Sequence, residues 1–303
     1  MNPLKKSFKK YWQMYLLLVP VIVYYIMFKY VPMLGLQIAF KDFSFRKGIW
    51  GSEWIGMDHF VRFFSSSQSV SIIMNTLILG LQTLVLCFPM PIILALIFNE
   101  IRSKKFKKTL QTITYAPHFI STIVVCGMLI SMVSPSTGIF NTLLLNLGII
   151  EEPIYVMGSA KYFRPVYVIT DIWKDSGWSA ILYVSALAAI DESMYEAAEV
   201  DGASRWNQLI HITLPSIVPT IITMLILETG KVLSIGFEKV YALQNDLNLS
   251  VSEVISTYTY KQGLENLEYD YATSIGLFNA VISFIMLVTV NYLSKKFSKN
   301  SLF

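Results

Sequence analysis

Charge is what this chain has least of. Only 15% of its 303 residues are Asp, Glu, Lys or Arg, against about 25% in soluble domains. That shortfall excludes an ordinary water-soluble domain. With 54% hydrophobic residues and a mean hydropathy of +0.54, the composition is that of a polytopic membrane protein. Histidine and cysteine are scarce too, at three and two residues. Cys87 and Cys126 both sit in apolar runs, with no metal-ligand spacing and no disulfide framework. No Gly-x-x-x-x-Gly-Lys-Ser/Thr occurs: Gly230-Lys231 lacks both the upstream glycine and the hydroxyl residue, so a P-loop nucleotide site is excluded. His-Glu-x-x-His and Gly-x-Ser-x-Gly are missing as well, which removes the common hydrolase signatures. Neither an internal repeat nor a low-complexity tract is present. The net charge of +4 reflects basic residues gathered at the ends of apolar runs, not a nucleic-acid surface.

What the chain does have is long apolar runs. Met14–Phe28 comes after a basic head with Lys5, Lys6, Lys9 and Lys10. It is read as a first span and not a signal peptide, because no small-residue cleavage site lies just beyond it and apolar character resumes past Lys29. Five more runs, Ile72–Phe98, Leu110–Val133, Pro165–Ile190, Leu214–Phe237 and Ala272–Leu293, each reach the roughly 20 residues a crossing helix needs. Pro89, Pro91 and Pro117 should kink or break the helices they lie in. The stretch 37–71 is polar and mixed, with Trp50, Trp54 and Phe60, and reads as a small packed cap or interfacial segment; His59 within it is external and uninformative. One set of connections carries 13 Lys and Arg, the other eight, with Lys239 and Lys261 among them. The richer side is cytoplasmic, which puts both termini and the 191–215 loop inside. The layout is a head, first span and extracytoplasmic segment over 1–70, a five-span core over 71–294, and a cytoplasmic tail over 295–303.

Polar residues within apolar runs are costly and face a partner or a cavity. The fourth run carries Asp171, Trp173, Lys174, Asp175 and Trp178. Helical spacing lets Lys174 neutralise Asp171 or Asp175. Flat tryptophan faces beside hydrogen-bonding groups suit a sugar ring, with its apolar C–H face and polar edge. The same residues also fit an internal ion pair with interfacial tryptophans. Glu228 and Lys231, three apart in the fifth run, make a self-contained salt bridge or line a pocket. Asn75, Gln82 and Asn279 are pathway candidates that interhelical hydrogen bonding explains equally well. His118 comes directly after Pro117 and is expected to donate to a carbonyl the proline frees. The lysines of the 104–108 run read as a topology signal beside anionic lipid.

The segment Tyr195–Pro215 lies between two of these runs. Ser193 and Glu196 have capping-box spacing, so a short helix should begin there. Ala197 and Ala198 allow close approach of another backbone. Gly202 permits a sharp turn, with Asp201 as N-cap for a second short helix. Trp206, Leu209 and Ile210 share a helical face, and Pro215 suits the first turn of the next helix.

Glu196-Ala197-Ala198, Gly202 and Ile212-Thr213-Leu214-Pro215 resemble, without a gap, the EAA loop of binding-protein-dependent ABC importer permeases. Shorter strings in the expected order resemble the carbohydrate-uptake branch: Ile38–Phe43, Pro89-Met90-Pro91, Asn99-Glu100, Pro117–Ser121, Asp171–Lys174 and Gly236-Phe237-Glu238. Within that branch they are similar to permeases for oligosaccharides and polysaccharide fragments. The resemblance implies an all-α fold with six transmembrane helices, of the type I, maltose-permease-like kind, in a bacterial cytoplasmic membrane. It implies a non-enzymatic transport subunit working with a second, related permease, an extracytoplasmic solute-binding protein and two ABC ATPases. ATP and Mg would be held by those ATPases and no cofactor by this chain. Coupling to the ATPase would fall to Glu196, Ala197, Ala198, Asp201, Gly202, Trp206, Leu214 and Pro215. The alternatives are an ABC permease for another solute, or an ion-coupled secondary transporter, which would leave the EAA pattern unexplained.

The topology makes a direct prediction. In a background lacking Cys87 and Cys126, cysteines placed at Ser44 and Lys161 should react with an impermeant thiol reagent in intact cells, while one at Lys105 should not. Labelling at position 105 would overturn the orientation.

Overall fold

A computed structural model of the chain describes residues 3–298. Lys299 and the rest of the tail beyond it, and the side chains of Lys5, Lys6 and Lys9, lie outside the described residues. The chain divides into two packed units, Met1–Ser66 with Thr259–Phe278, and Ser67–Tyr258 with Asn279–Phe303.

The first unit begins with α1 (Pro3–Tyr25), which continues through a π-helical turn at Ile26–Tyr30 and a 3₁₀ stretch at Leu34–Phe40. None of its 18-residue apolar window is buried by protein, a state that suits a hydrocarbon solvent. A two-residue hairpin pairs β1 (Lys41–Asp42) with β2 (Glu53–Trp54), and α2 (Asp58–Ser65) comes after it. This is a packed cap. Trp54 stacks on Phe40 at 5.5 Å, and Lys41 Nζ donates to the Ile49 carbonyl at 2.8 Å. His59, uninformative in the sequence, is built into this cap. It is 8% exposed, its Nε2 donates to the Lys41 carbonyl at 3.0 Å, and it lies 3.5 Å from Asp270. Asp270 also accepts from the Phe43 amide at 2.8 Å, which ties the cap to the 259–278 stretch of the same unit. Sequence distance hid that partner.

The second unit holds α3 (Ser69–Cys87), α4 (Pro89–Glu100), α5 (Lys104–Tyr115), α6 (Thr122–Met132), α7 (Ile139–Asn146) and α8 (Ala160–Leu187). It continues with α9 (Glu192–Val200), α10 (Arg205–Gln208), α11 (Leu214–Thr229) and α12 (Phe237–Leu243). The long closing helix α13 (Tyr269–Ser298) begins in the first unit and ends in the second. Among the described residues four stretches are long and apolar enough to cross a membrane: Lys10–Phe40, Ser69–Glu100, Arg205–Thr229 and Tyr269–Lys296. Pro89 sits at the start of α4, where its missing N–H costs nothing, and Ser69–Glu100 remains one crossing stretch.

The third apolar run is not one straight helix. Lys104–Phe119 and Thr122–Met132 meet at 97°, which would make a fifth, broken span. The break falls where Pro117 forces a 3₁₀ turn over Ala116–Phe119 and Ile120 turns extended. The fifth run also differs. Its helix stops at Thr229 and residues 230–236 form tight turns, such as Ser234 N to Lys231 O at 2.7 Å. At its other end the same helix starts earlier, at Arg205.

The central element of this unit is α8, which packs against α3, α4, α5 and α11. Its 28 residues make a rod of about 42 Å, long enough to cross, though it carries Asp171, Lys174 and Asp175. Two glycines permit the closest approaches. A Cβ on Gly177 would strike the Thr114 carbonyl of α5, and one on Gly80 the Val232 carbonyl. Apolar packing fills the rest, with Ala95, Phe98, Ala180, Tyr183, Leu187 and Ile217 forming one cluster.

Gly177→Ala should therefore force α5 and α8 apart and cost about 1–3 kcal/mol. Gly127→Ala, in open space on α6, should be neutral or slightly stabilising. Thermal unfolding of the detergent-purified protein checks the pair, and equal midpoints would contradict the packing argument.

Candidate functional site

Where α8 passes α3, α11, α12 and the turns between them, the second unit forms a half-open cavity of about 940 Å³. Asp171, Lys174, Asp175 and Trp178 line it from α8, Glu228 from the end of α11 and Lys231 from the turn after it, and Glu238 and Lys239 from α12. The structure thereby brings together Asp171, Lys174, Trp178, Glu228 and Lys231 from the predicted pathway residues.

Of the two carboxylates that helical spacing offered Lys174, the structure pairs it with Asp175, at 3.6 Å. Asp171 is taken by Lys239, whose Nζ donates to Asp171 Oδ1 and to the Tyr167 carbonyl, each at 2.6 Å. That ammonium also lies 4.1 Å from the centroid of the Tyr167 ring. Lys239, counted by sequence with the outer-loop cations, is 5% exposed. Three kinds of acceptor surface satisfy it: a carboxylate, a carbonyl and an aromatic face. A charge this deep needs that many. No local spacing relates positions 171 and 239; the only trace in the sequence is a lysine directly after the Gly236-Phe237-Glu238 string. Glu228 and Lys231 do form the self-contained bridge expected, at 2.8 Å, while still facing the cavity.

His118 is the second residue that sequence reasoning misplaced. Its partner is a carboxylate and not a freed backbone carbonyl: Nδ1 donates to Asp175 Oδ1 at 2.7 Å. The imidazole also stacks on Trp178, with centroids 4.8 Å apart and planes 3° from parallel. The 97° break carries His118 there. Trp173 and Asn75 lie off the cavity wall. Trp173 is half exposed on another side of α8. Asn75 is buried, donates to the Ser250 and Glu253 carbonyls at 3.0 and 3.1 Å, and accepts from Arg164 at 2.8 Å. Asn279 donates to the Leu233 carbonyl at 3.3 Å.

The second region is the segment after α8. Its helix α9 is capped by Asp191, not by Ser193: the Asp191 carboxylate accepts from the Ser193 amide at 3.0 Å. That hydrogen bond holds the exposed carboxyl below its usual pKa. Asp201 is the C-cap of α9, and Ser204 caps α10 by accepting from the Asn207 amide at 3.3 Å. Each cap falls at the nearest residue whose backbone is extended, which sequence alone offered several times over. Gly202 has φ +76°, the left-handed conformation that closes α9, with Ala203 N to Ala198 O at 2.8 Å. No atom lies within 4 Å of where its Cβ would be, so φ and not space demands glycine.

After α10 the helix widens into a π turn at Leu209–Thr213, with Leu214 N bonded to Leu209 O, and runs on into α11. Pro215 explains the turn, because its ring would collide with the carbonyl four residues back in an α-helix. Tyr195 Oη and Thr213 Oγ1, 2.9 Å apart, tie α9 to that turn. From Asp191 to Ile212 no residue is buried, and Val200 and Trp206 are 88% and 67% exposed.

Residues 87–299 match the family described as "Binding-protein-dependent transport system inner membrane component". The chain belongs to this family. It is a multi-pass permease, a transport component and not an enzyme. It is 43% identical to protein LplB of Bacillus subtilis over 96% of this chain and 91% of that one. It is 41% identical, over 96% and 90%, to the polygalacturonan/rhamnogalacturonan transport system permease YteP of the same organism. Among solved structures it is similar to a chain of a bacterial ABC transporter involved in import of the acidic polysaccharide alginate. The TM-score is 0.91 at 41% identity, over 98% of this chain and all of that one. A second structure of the bacterial alginate transporter is in complex with an alginate pentasaccharide-bound periplasmic protein.

The buried ion pair gives this permease a testable asymmetry. Lys239→Met alone leaves Asp171 buried without a cation and should cost about 3–5 kcal/mol, whereas the double variant Asp171→Leu/Lys239→Met should recover most of that stability. Chemical unfolding of the purified chain reads both. A single variant as stable as wild type would contradict the pairing.

Proposed function

We propose that this chain is one permease subunit of an ATP-driven importer that carries oligosaccharides or polysaccharide fragments across the cytoplasmic membrane. The observation that carries the reading is whole-length similarity, above 40% identity, to permeases whose named cargo is polysaccharide. A solute-binding protein delivers the sugar from outside, a second permease completes the pathway, and two ATPase subunits bind ATP and Mg on the inner side. The chain makes and breaks no bond in its substrate.

Six crossings are proposed: the four apolar stretches, the bent pair, and α8, whose charges face the cavity or are paired. Both termini lie in the cytoplasm, and the layout is a head and cap over 1–70, a core over 71–294 and a tail over 295–303. The sugar path runs along the α8 cavity, where the Trp178 face and the polar groups of Asp171, Lys174, Glu228 and Lys231 suit a pyranose. Trp173 and Asn75 lie off that wall, Asn75 tying α3 to Arg164 of α8. Coupling to the ATPase falls to the 191–215 loop. Ala197 and Ala198 let the two proteins approach, Gly202 closes α9, Glu196 and Asp201 offer charge, and Trp206 an apolar face. Leu214 and Pro215 join the loop to α11.

Gly202→Asp and Ala198→Trp should abolish uptake and sugar-stimulated hydrolysis in proteoliposomes. Membrane insertion should persist, and so should the sugar affinity of the binding protein. Pull-down of the ATPase reads the contact directly. Full transport and full ATPase binding in both variants would remove this loop from coupling.

A further inference from the structure

The geometry points to His118 as a positioning residue that fixes the sugar-facing plane of Trp178. This rests on the cavity being the sugar path. Trp178 is 42% exposed and lines the cavity. Its indole is not free to turn. The His118 imidazole covers it at 4.8 Å and 3°, and the Phe119 ring meets it edge-on at 5.3 Å and 80°. That leaves the opposite face as the one a pyranose can use. His118 is itself held, because its Nδ1 donates to Asp175 Oδ1 at 2.7 Å, one turn before Trp178 on α8. The same Asp175 oxygen lies 3.6 Å from the Lys174 ammonium, a second group that holds the carboxylate in place.

The arrangement is a backing plate. Indole–sugar stacking needs a flat face presented at one angle, and a tryptophan in a roomy cavity loses affinity by sampling others. Here a second aromatic ring removes that freedom before the sugar arrives. The backing ring comes from a different element than the indole: His118 lies in the 3₁₀ turn at the 97° break between α5 and α6, and Trp178 in α8. The plate therefore exists only while the break is seated against α8. That makes the sugar-facing angle a property of how the two elements pack, a dependence no single helix could provide.

Three variants separate the contributions. His118→Phe keeps a flat ring and loses the bond to Asp175. His118→Asn keeps a donor and loses the ring. His118→Ala loses both. The complex is reconstituted in nanodiscs with its ATPase and binding protein, and hydrolysis is titrated with trigalacturonate, galactotriose and an alginate pentasaccharide. The sugar that stimulates wild type most is carried forward.

With aromatic stacking worth about three- to tenfold in an equilibrium constant, His118→Ala should raise the half-saturating concentration by that factor. Basal and maximal rates should change little. His118→Phe should restore most of the loss and His118→Asn should not. An unchanged half-saturation in His118→Ala, a loss of maximal rate alone, or rescue by Asn and not Phe would each overturn the proposal.

A second reading uses no sugar. In a full-length form whose only tryptophan is Trp178, removing the imidazole should expose the covered face and about double the acrylamide quenching constant, a factor set by two faces in place of one. Unchanged quenching would show that His118 does not cover the indole. Failure of every sugar to stimulate wild type would instead sink the sugar reading of the cavity, leaving the quenching result to judge the stack.

Discussion

A charge placed among apolar helices must bring its own partner, and this structure is arranged around that demand. The Lys239 ammonium and the Asp171 carboxylate satisfy each other at 2.6 Å while 6% and 19% exposed. Removing either charge takes from the other its hydrogen-bonded partner in a buried site. The pair joins α12 to the middle of α8 across 68 residues of sequence, closing the far wall of the cavity. Around it the remaining charges obey the same rule at lower stakes. Glu228 meets Lys231 one turn away, and Asp175 is shared by His118 and Lys174. A polar wall is thereby built in an apolar protein from charges that hold one another.

Close backbone contact supplies the second constraint. Without a strong hydrophobic drive between helices in lipid, packing depends on small residues at the crossings. Gly177 against Thr114 and Gly80 against Val232 are such points. They bring α5 and the turn after α11 near enough to α8 and α3 for His118 and Lys239 to reach their partners.

Much of this was legible in the sequence, for physical reasons that can be named. Apolar runs of crossing length announce themselves, because the bilayer sets their length. The turn at Gly202 was legible too, since a glycine between two helical faces has few other uses. Pro117 marked the break. What could not be read was anything depending on partners distant in the chain. Lys239 looked like a loop cation, since hydropathy cannot say that a charge is buried. Spacing within one helix offered Asp171 no cation but Lys174, while its partner Lys239 lies 68 residues away. His59 gave no signal, because its partner Asp270 lies far along the chain. The caps at Asp191 and Ser204 were missed by a few residues, because Ser, Asp and Glu crowd that stretch and several could have served.

The π turn at Leu209–Thr213 has a mechanical consequence. A proline in such a position commonly snaps a helix into two pieces with a soft joint. Here one widened turn absorbs the misfit, and Arg205–Thr229 runs on as 25 residues without interruption, a rod of about 38 Å. Its near end carries the exposed Trp206, and its far end carries Glu228 on the cavity wall. One helical stretch thus joins the exposed loop to the cavity wall, with Pro215 at the start of α11 and Pro219 inside it both accommodated. A continuous helix stands where the prolines would have suggested a knuckle.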